Sequence, residues 1–299
     1  MAKKQFTDAE RAEYRAAKRA QQREDLERAA RALLSSDGWR TWAETRAAFH
    51  DYSLGNCMLI ALQRPDATSV AGFHKWRELG RSVRKGEHGI RILAPMIVGG
   101  DKEDRAAMRR HEPTAAQREG WETDGGPRVL FRGVSVFDIS QTDGEPLPEL
   151  PREPIEGDSH ADYIGKLTAW AQARGIAVEY EPLEHAGGYY SEPDGRPRVV
   201  ISTNIGCPNR HVRTLLHELA HALGVPNYKE HGRDASEVIA ETAGFIAAGA
   251  IGLDTSGEAV PYVASWGESG ELDAIKAKAE LVDGIARELE SACGIGGKR

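Results

Sequence analysis

The sequence predicts an α+β fold in two successive parts, and three patterns carry that reading. An Ala-, Glu- and Arg-rich front gives way to short segments in which Val and Ile recur at strand spacing. A linker holding Pro146, Pro148, Pro151 and Pro154 among acidic residues then interrupts the chain. Beyond it, short strands precede a strongly periodic helix over 215–224, Leu-Leu-His-Glu-Leu-Ala-His-Ala-Leu-Gly.

Taken in order, residues 7–34 have few helix breakers and a capping residue at Thr7 or Asp8, which predicts a long helix. A break over 35–38 precedes a second helix from Trp39 to about His50, and the apolar run 57–62 reads as a core helix. Between Val70 and Pro95 a short helix around Trp76 leads into a turn near Gly80, a basic stretch, a turn over 86–89 and a strand through Leu93. Residues 100–127 are polar and without periodicity, so an exposed insertion is expected there, followed by a strand over 129–139. Past the linker come a helix over 163–174, a strand over 178–180, and a hairpin whose arms, 188–190 and 198–201, flank Pro193-Asp194-Gly195. Gly224, just before Val225-Pro226, is the expected stop of the periodic helix. Further helices are expected over 234–248 and 271–293. The organisation that follows is a front domain over 1–142 with its insertion at 100–127, a linker over 143–158, and a second domain over 159–299.

The net charge of -7 is unevenly spread. Residues 1–100 hold 18 Lys and Arg against 12 Asp and Glu, so a polyanionic partner, if there is one, belongs to the front. No apolar run reaches membrane-spanning length, and the first residues lack a signal-peptide core, which predicts a cytoplasmic protein with no membrane partner. Cys57, Cys207 and Cys293 are far apart and form no C-x-x-C pair; inert thiols are expected.

The periodic helix carries the chemistry. His217 and His221 stand four residues apart and project from one face, where two imidazoles can grip one metal ion. Glu218 points beside the ion's open position and is the candidate general base. A catalytic zinc normally takes three protein ligands, and Glu237 and Glu241 on the next helix share a face one turn apart. In zincins with a glutamate third ligand the first such carboxylate binds the metal and the later one fixes a histidine tautomer. Glu237 is therefore assigned to the metal and Glu241 to the outer role, though spacing leaves the two exchangeable. Zn2+ is the expected ion, with other divalent transition metals possible. The extended pattern H-E-x-x-H-x-x-G-x-x-H fails, because its third ligand would fall on Asn227 and a neutral amide is a poor zinc ligand. His231 is a stand-in for that third ligand or, in a loop full of charge and glycine, a solvated loop histidine. The segment 199–202 could line the cleft and pair with substrate backbone, and Tyr262 is either an oxyanion donor or structural.

Aromatic rings interleaved with Arg and Lys over 70–95 suit a single-stranded nucleic acid, because bases stack on rings while cations track phosphates. Trp76, Arg77, Arg81, Arg84, Lys85 and Arg91 are the candidate contacts; Phe73, Trp39 and Trp42 are as readily core as platform. A plain charged surface would give the same pattern.

The run from Asp51-Tyr52-Ser53-Leu54-Gly55-Asn56 to Gln63-Arg64-Pro65-Asp66, then Val70-Ala71-Gly72-Phe73, Trp76, and Leu79-Gly80-Arg81-Ser82-Val83-Arg84-Lys85-Gly86-Glu87-His88-Gly89-Ile90, closely resembles the ArdC-type antirestriction proteins of plasmids and other mobile elements. The resemblance covers most of 35–140 and, more loosely, 160–265. It implies a single-stranded-DNA-binding front domain followed by a zincin-like metallopeptidase domain, and a role in shielding incoming DNA from host restriction. The implied partners are single-stranded DNA and either an unknown protein substrate or the host restriction machinery. The alternative is a non-proteolytic DNA-binding protein whose metal domain is structural or regulatory.

Overall fold

The computed structural model describes residues 8–110, 126–146, 153–184, 186–255 and 272–295. Among them no helix is long and apolar enough to cross a membrane. The chain divides into two compact units, a smaller one over 70–144 and a larger one built from 1–69 together with 145–297. This differs from the expected division at 142, because the first three helices belong with the back of the chain.

Those helices are α1 (Asp8–Ala32), α2 (Ser36–Ala48) and α3 (Leu54–Gln63). The Ser35 and Ser53 hydroxyls cap α2 and α3 by accepting from the amides of Gly38 (3.1 Å) and Asn56 (3.4 Å). The helices bury Trp39, Trp42, Cys57 and Ile60 completely.

The smaller unit runs β1 (Val70–Gly72), α4 (Phe73–Glu78), β2 (Arg81–Val83), β3 (Ile90–Val98), α5 (Lys102–Arg110), β4 (Arg128–Asp138) and β5 (Thr142–Gly144). β4 is the centre of an antiparallel sheet between β1 and β3, and β2 pairs with β5 in a second ladder. Trp76, Ile90, Ile92 and Val136 fill its core. The expected insertion begins with a helix: α5 occupies its start, with the Asp101 side chain accepting from the Asp104 amide at 2.8 Å and Ala107 buried. One short, highly charged helix gives too little periodicity to be read from sequence. Residues 111–125 lie outside the described residues.

The chain then returns through β6 (Glu153–Pro154), α6 (Asp162–Ala173), β7 (Ala177–Glu181), β8 (Gly188–Ser191) and β9 (Arg198–Ser202). It ends in α7 (Pro208–Ala250), β10 (Leu253–Asp254) and α8 (Leu272–Ala292). Part of the expected linker is a strand, since β6 pairs with β10 in parallel. β9 lies in the middle of its sheet, parallel to β7 and antiparallel to β8. The segment 199–202, expected to receive substrate, is therefore hydrogen-bonded on both sides, and β7 and β8 are the edge strands of this sheet among the described residues.

Gly224 does not end the periodic helix. Helical backbone runs on through it, and α7 breaks at Gly232 instead, where φ is 77° and ψ is 171°. A glycine stops a helix only when it turns left-handed, and Gly224 does not. The limb of α7 after Gly232 folds back along the limb before it.

Two polar pins hold α2 against the helices that follow. Trp39 Nε1 donates to Thr242 Oγ1 (3.1 Å), and the fully buried Arg46 guanidinium donates to Asp283 (2.5 Å) and to both Glu290 oxygens (2.7 and 3.0 Å). Burial alone would lower the Arg46 pKa, but Glu290 and Asp283 outweigh it and hold the cation charged. This is why residues 1–69 join the larger unit: a buried guanidinium needs its carboxylates, and they lie on α8.

Candidate metal centre

Leu215, Leu216 and Leu219 anchor the first limb of α7 in the core, which turns His217 and His221 toward the returning limb. Their Nε2 atoms stand 3.2 Å apart, with the rings nearly perpendicular at 86°. From the second limb, Glu237 Oε2 lies 3.4 Å from His221 Nε2 and 3.6 Å from His217 Nε2. Ligands about 2.0–2.2 Å from one tetrahedral ion stand roughly 3.3–3.6 Å from each other, so this triangle has the dimensions of a zinc-type donor set. Two imidazoles and a carboxylate also suit that ion chemically. Glu218 completes the cluster, with His217, Glu218 and His221 presenting ligand atoms within 4.8 Å of one another.

Glu241 takes a different place from Glu237. Its Oε2 lies 2.9 Å from His217 Nδ1, the nitrogen facing away from the triangle, and its Oε1 accepts from Arg213. The ring N–H is not aligned on that oxygen, which makes the contact chiefly ionic. With both oxygens engaged, Glu241 is positioned to orient His217, while Glu237 faces the two Nε2 atoms. Arg213 was not singled out from sequence, although its place four residues before His217 puts it on the same helix face.

Each charge in the cluster is set by its neighbours. Burial opposes protonation of His217, but the carboxylates of Glu237 and then Glu241 overcome it and raise its pKa to about 9. Contacts with His217 and His221 hold Glu237 well below the usual carboxylate range. Glu241 is pushed up by burial, yet His217 and Arg213 bring it below its ordinary value. Glu218, only 6% exposed, is raised by burial, the direction expected of a carboxylate that must accept a proton near neutrality.

The edge strand β8 comes close to this cluster at Gly188. A Cβ at Gly188 would meet Val200 O at 2.8 Å, Thr214 Cγ2 at 3.0 Å and Glu218 Cγ at 3.1 Å. Only glycine lets β8 come this close to α7. The side chains of Asn227 and His231, and all of Tyr262, lie outside the described residues.

The nucleic-acid candidates separate into two groups. Trp76 is fully buried and donates from Nε1 to Phe137 O at 2.8 Å, so it is a core residue and no stacking platform. Arg81 is buried too, its guanidinium donating to Thr142 Oγ1 (2.8 Å), Thr142 O and Gly144 O (both 3.1 Å). It ties β2 to β5 and is not available to a phosphate. Arg84 is exposed but engaged with Glu87, Asp143 and Ser140 O. Arg77, Lys85 and Arg91 are exposed. Of the cysteines, Cys57 and Cys293 are buried and burial raises both thiols to about 12, whereas Cys207 is half-exposed.

Residues 14–137 match the family model described as the N-terminal domain of anti-restriction factor ArdC. The front of the chain is thus similar to that domain. Two curated relatives are uncharacterized proteins, pXO2-81 of Bacillus anthracis and y4eC of Sinorhizobium fredii. The first is 25% identical over 261 residues, covering 77% of this chain and 43% of the relative; the second is 27% identical over 216 residues, covering 67% and 63%. The chain thus spans less than two-thirds of either relative. Crystal structures of the antirestriction ArdC protein from plasmid R388, one metal-free and one Mn(II)-bound, superpose with a TM-score of 0.42 at 20% and 19% identity. Both cover 80% of this chain, and 82% and 85% of theirs.

Proposed function

We propose that this chain is an ArdC-type antirestriction protein that acts for a mobile element inside the host cytoplasm, binding single-stranded DNA and hydrolysing peptide bonds at a zinc centre. His217, His221 and Glu237 hold the ion, and Glu218 is the catalytic base. The single observation that carries the enzymatic half is the His217–His221–Glu237 triangle with a buried, uncommitted carboxylate beside it. A closed structural site would have no use for that carboxylate.

A divalent cation held there supplies Lewis acidity, bringing water's pKa toward neutrality and polarising a carbonyl. Glu218, buried beside the triangle, would take a proton from an attacking water and return it to the departing amine. Glu241, held by Arg213, lies against the Nδ1 side of His217, where its charge favours a ring proton on Nδ1 and would leave the Nε2 lone pair for the ion. The open edge of β8 offers backbone groups to an extended peptide, which would lie across Glu218 where Gly188 makes room. Exposed Arg77, Lys85 and Arg91 support the DNA-binding half.

Glu218→Gln tests the reading on zinc-loaded protein. Hydrolysis of a denatured protein substrate should fall by about 10²- to 10⁴-fold while zinc content stays at one equivalent. Equal turnover in the variant would remove Glu218 from the mechanism. Antirestriction that persists undiminished in Glu218→Gln would favour the alternative in which DNA occupancy alone protects.

A further inference from the structure

The burial of Trp76 leaves the DNA-binding half without a stacking ring, and β3 and β4 supply one. Beyond the Gly72–Val136 pair no third strand flanks β4 among the described residues, so its outer half and β3 form a two-stranded ribbon. All five residues from Arg128 to Arg132 are exposed. Phe131 is 62% exposed, Leu130 43%, Val129 42% and Met96 37%. A folded unit does not normally leave four large apolar side chains together in water unless something covers them.

The register sorts these residues onto two faces. Phe131 opposite Pro95 and Val129 opposite Ile97 form one face; next along it Gly133 leaves room beside the Phe131 ring. On the other face Leu130 opposite Met96 lies between Arg128 and Arg132. Among the described residues neither arginine makes an ion pair. The strand segments 90–98 and 128–136 contain three arginines and no acidic residue, in a chain whose net charge is -7. This local reversal of sign is what a polyanion selects.

We infer that the outer β3–β4 ribbon is the single-strand DNA surface, with Phe131 stacking an unpaired base and Arg128 and Arg132 contacting phosphates. The inference rests on the single-strand reading above and names the surface that carries it. Single-stranded rather than duplex DNA is the fit, because an exposed ring can stack only on a base not already stacked in a helix.

The test is fluorescence anisotropy of full-length protein with a labelled 20-nucleotide oligothymidine and with a duplex of equal length. Phe131→Ala should weaken single-strand binding by about 5- to 100-fold. The pair Arg128→Ala and Arg132→Ala should reduce the slope of log affinity against log salt by about 1.4. Thermal melting should be unchanged in both, since these side chains are exposed. If wild-type protein binds the oligothymidine and both variants bind equally well, the ribbon is not the surface while the single-strand reading stands. If wild-type protein does not bind it, that reading fails and takes this one with it. Losses as large for the duplex as for the single strand would overturn the stacking role of Phe131.

Discussion

The metal cluster and the β3–β4 ribbon are opposite solutions to placing charge on a protein. Around His217 the charged groups are paired, Glu237 and Glu241 with the imidazole and Arg213 with Glu241, and only the buried Glu218 is given no such partner among the described residues. On the ribbon, Arg128 and Arg132 make no ion pair among the described residues, and the apolar side chains between them face water. Paired and buried charges fix a geometry in advance, which suits a small ion needing three ligands at set distances. Unpaired exposed charges keep their field for an arriving partner, which suits a long flexible polyanion. The comparison teaches that the same residue types, Arg with aromatic and aliphatic neighbours, cannot be assigned to recognition or to structure until their partners are known. Arg81 and Arg128 are both strand arginines of one unit, yet only one of them is already spent on its own backbone.

The largest effect that would sharpen this contrast lies in the frame supporting the cluster. Arg46→Met leaves Asp283 and Glu290 facing a buried apolar chain, and should cost about 3–5 kcal/mol of stability, read from denaturant unfolding. A loss below about 1 kcal/mol would show that α2 is held by its tryptophans alone. Next, Arg213→Met and Glu241→Gln should each lower zinc affinity by about 10- to 100-fold in a chelator competition. The double variant should be no weaker than the worse single one, because both act through the orientation of His217. Additive losses would break the relay into independent parts.

A smaller and graded effect concerns pH. In metal-free protein the His217 pKa is held at about 9, above its ordinary 6.5. The stability its cation contributes is therefore complete below pH 6.5 and lost as pH rises through 9. Metal uptake needs the neutral ring and releases that proton, so zinc affinity should rise about tenfold per pH unit up to pH 9 and then flatten. Glu241→Gln should move the bend to lower pH. A flat profile between pH 6.5 and 9 would contradict the charge pairing described here.

The parts of this account that were legible in sequence are those fixed by local spacing. His217, Glu218 and His221 follow from helix periodicity, and so does the shared face of Glu237 and Glu241. Which of those two glutamates faces the Nε2 pair depends on how the limbs of α7 pack, and that rests on a break at Gly232 that Gly224 seemed better placed to supply. Trp76 among cations reads as a stacking residue until Phe137 O is found to take its N–H. The placement of α2 was invisible because its partners for Arg46 lie 237 and 244 residues away. Local pattern carries no information about such pairs.

The central claim is that one divalent ion sits between His217, His221 and Glu237. Elemental analysis of purified protein reconstituted with Zn2+, and separately with Mn2+, measures it directly alongside a His217→Ala, His221→Ala variant. The account predicts one equivalent of ion in the wild type and none above background in the variant. No bound ion in reconstituted wild-type protein, or an undiminished equivalent in the variant, would contradict it.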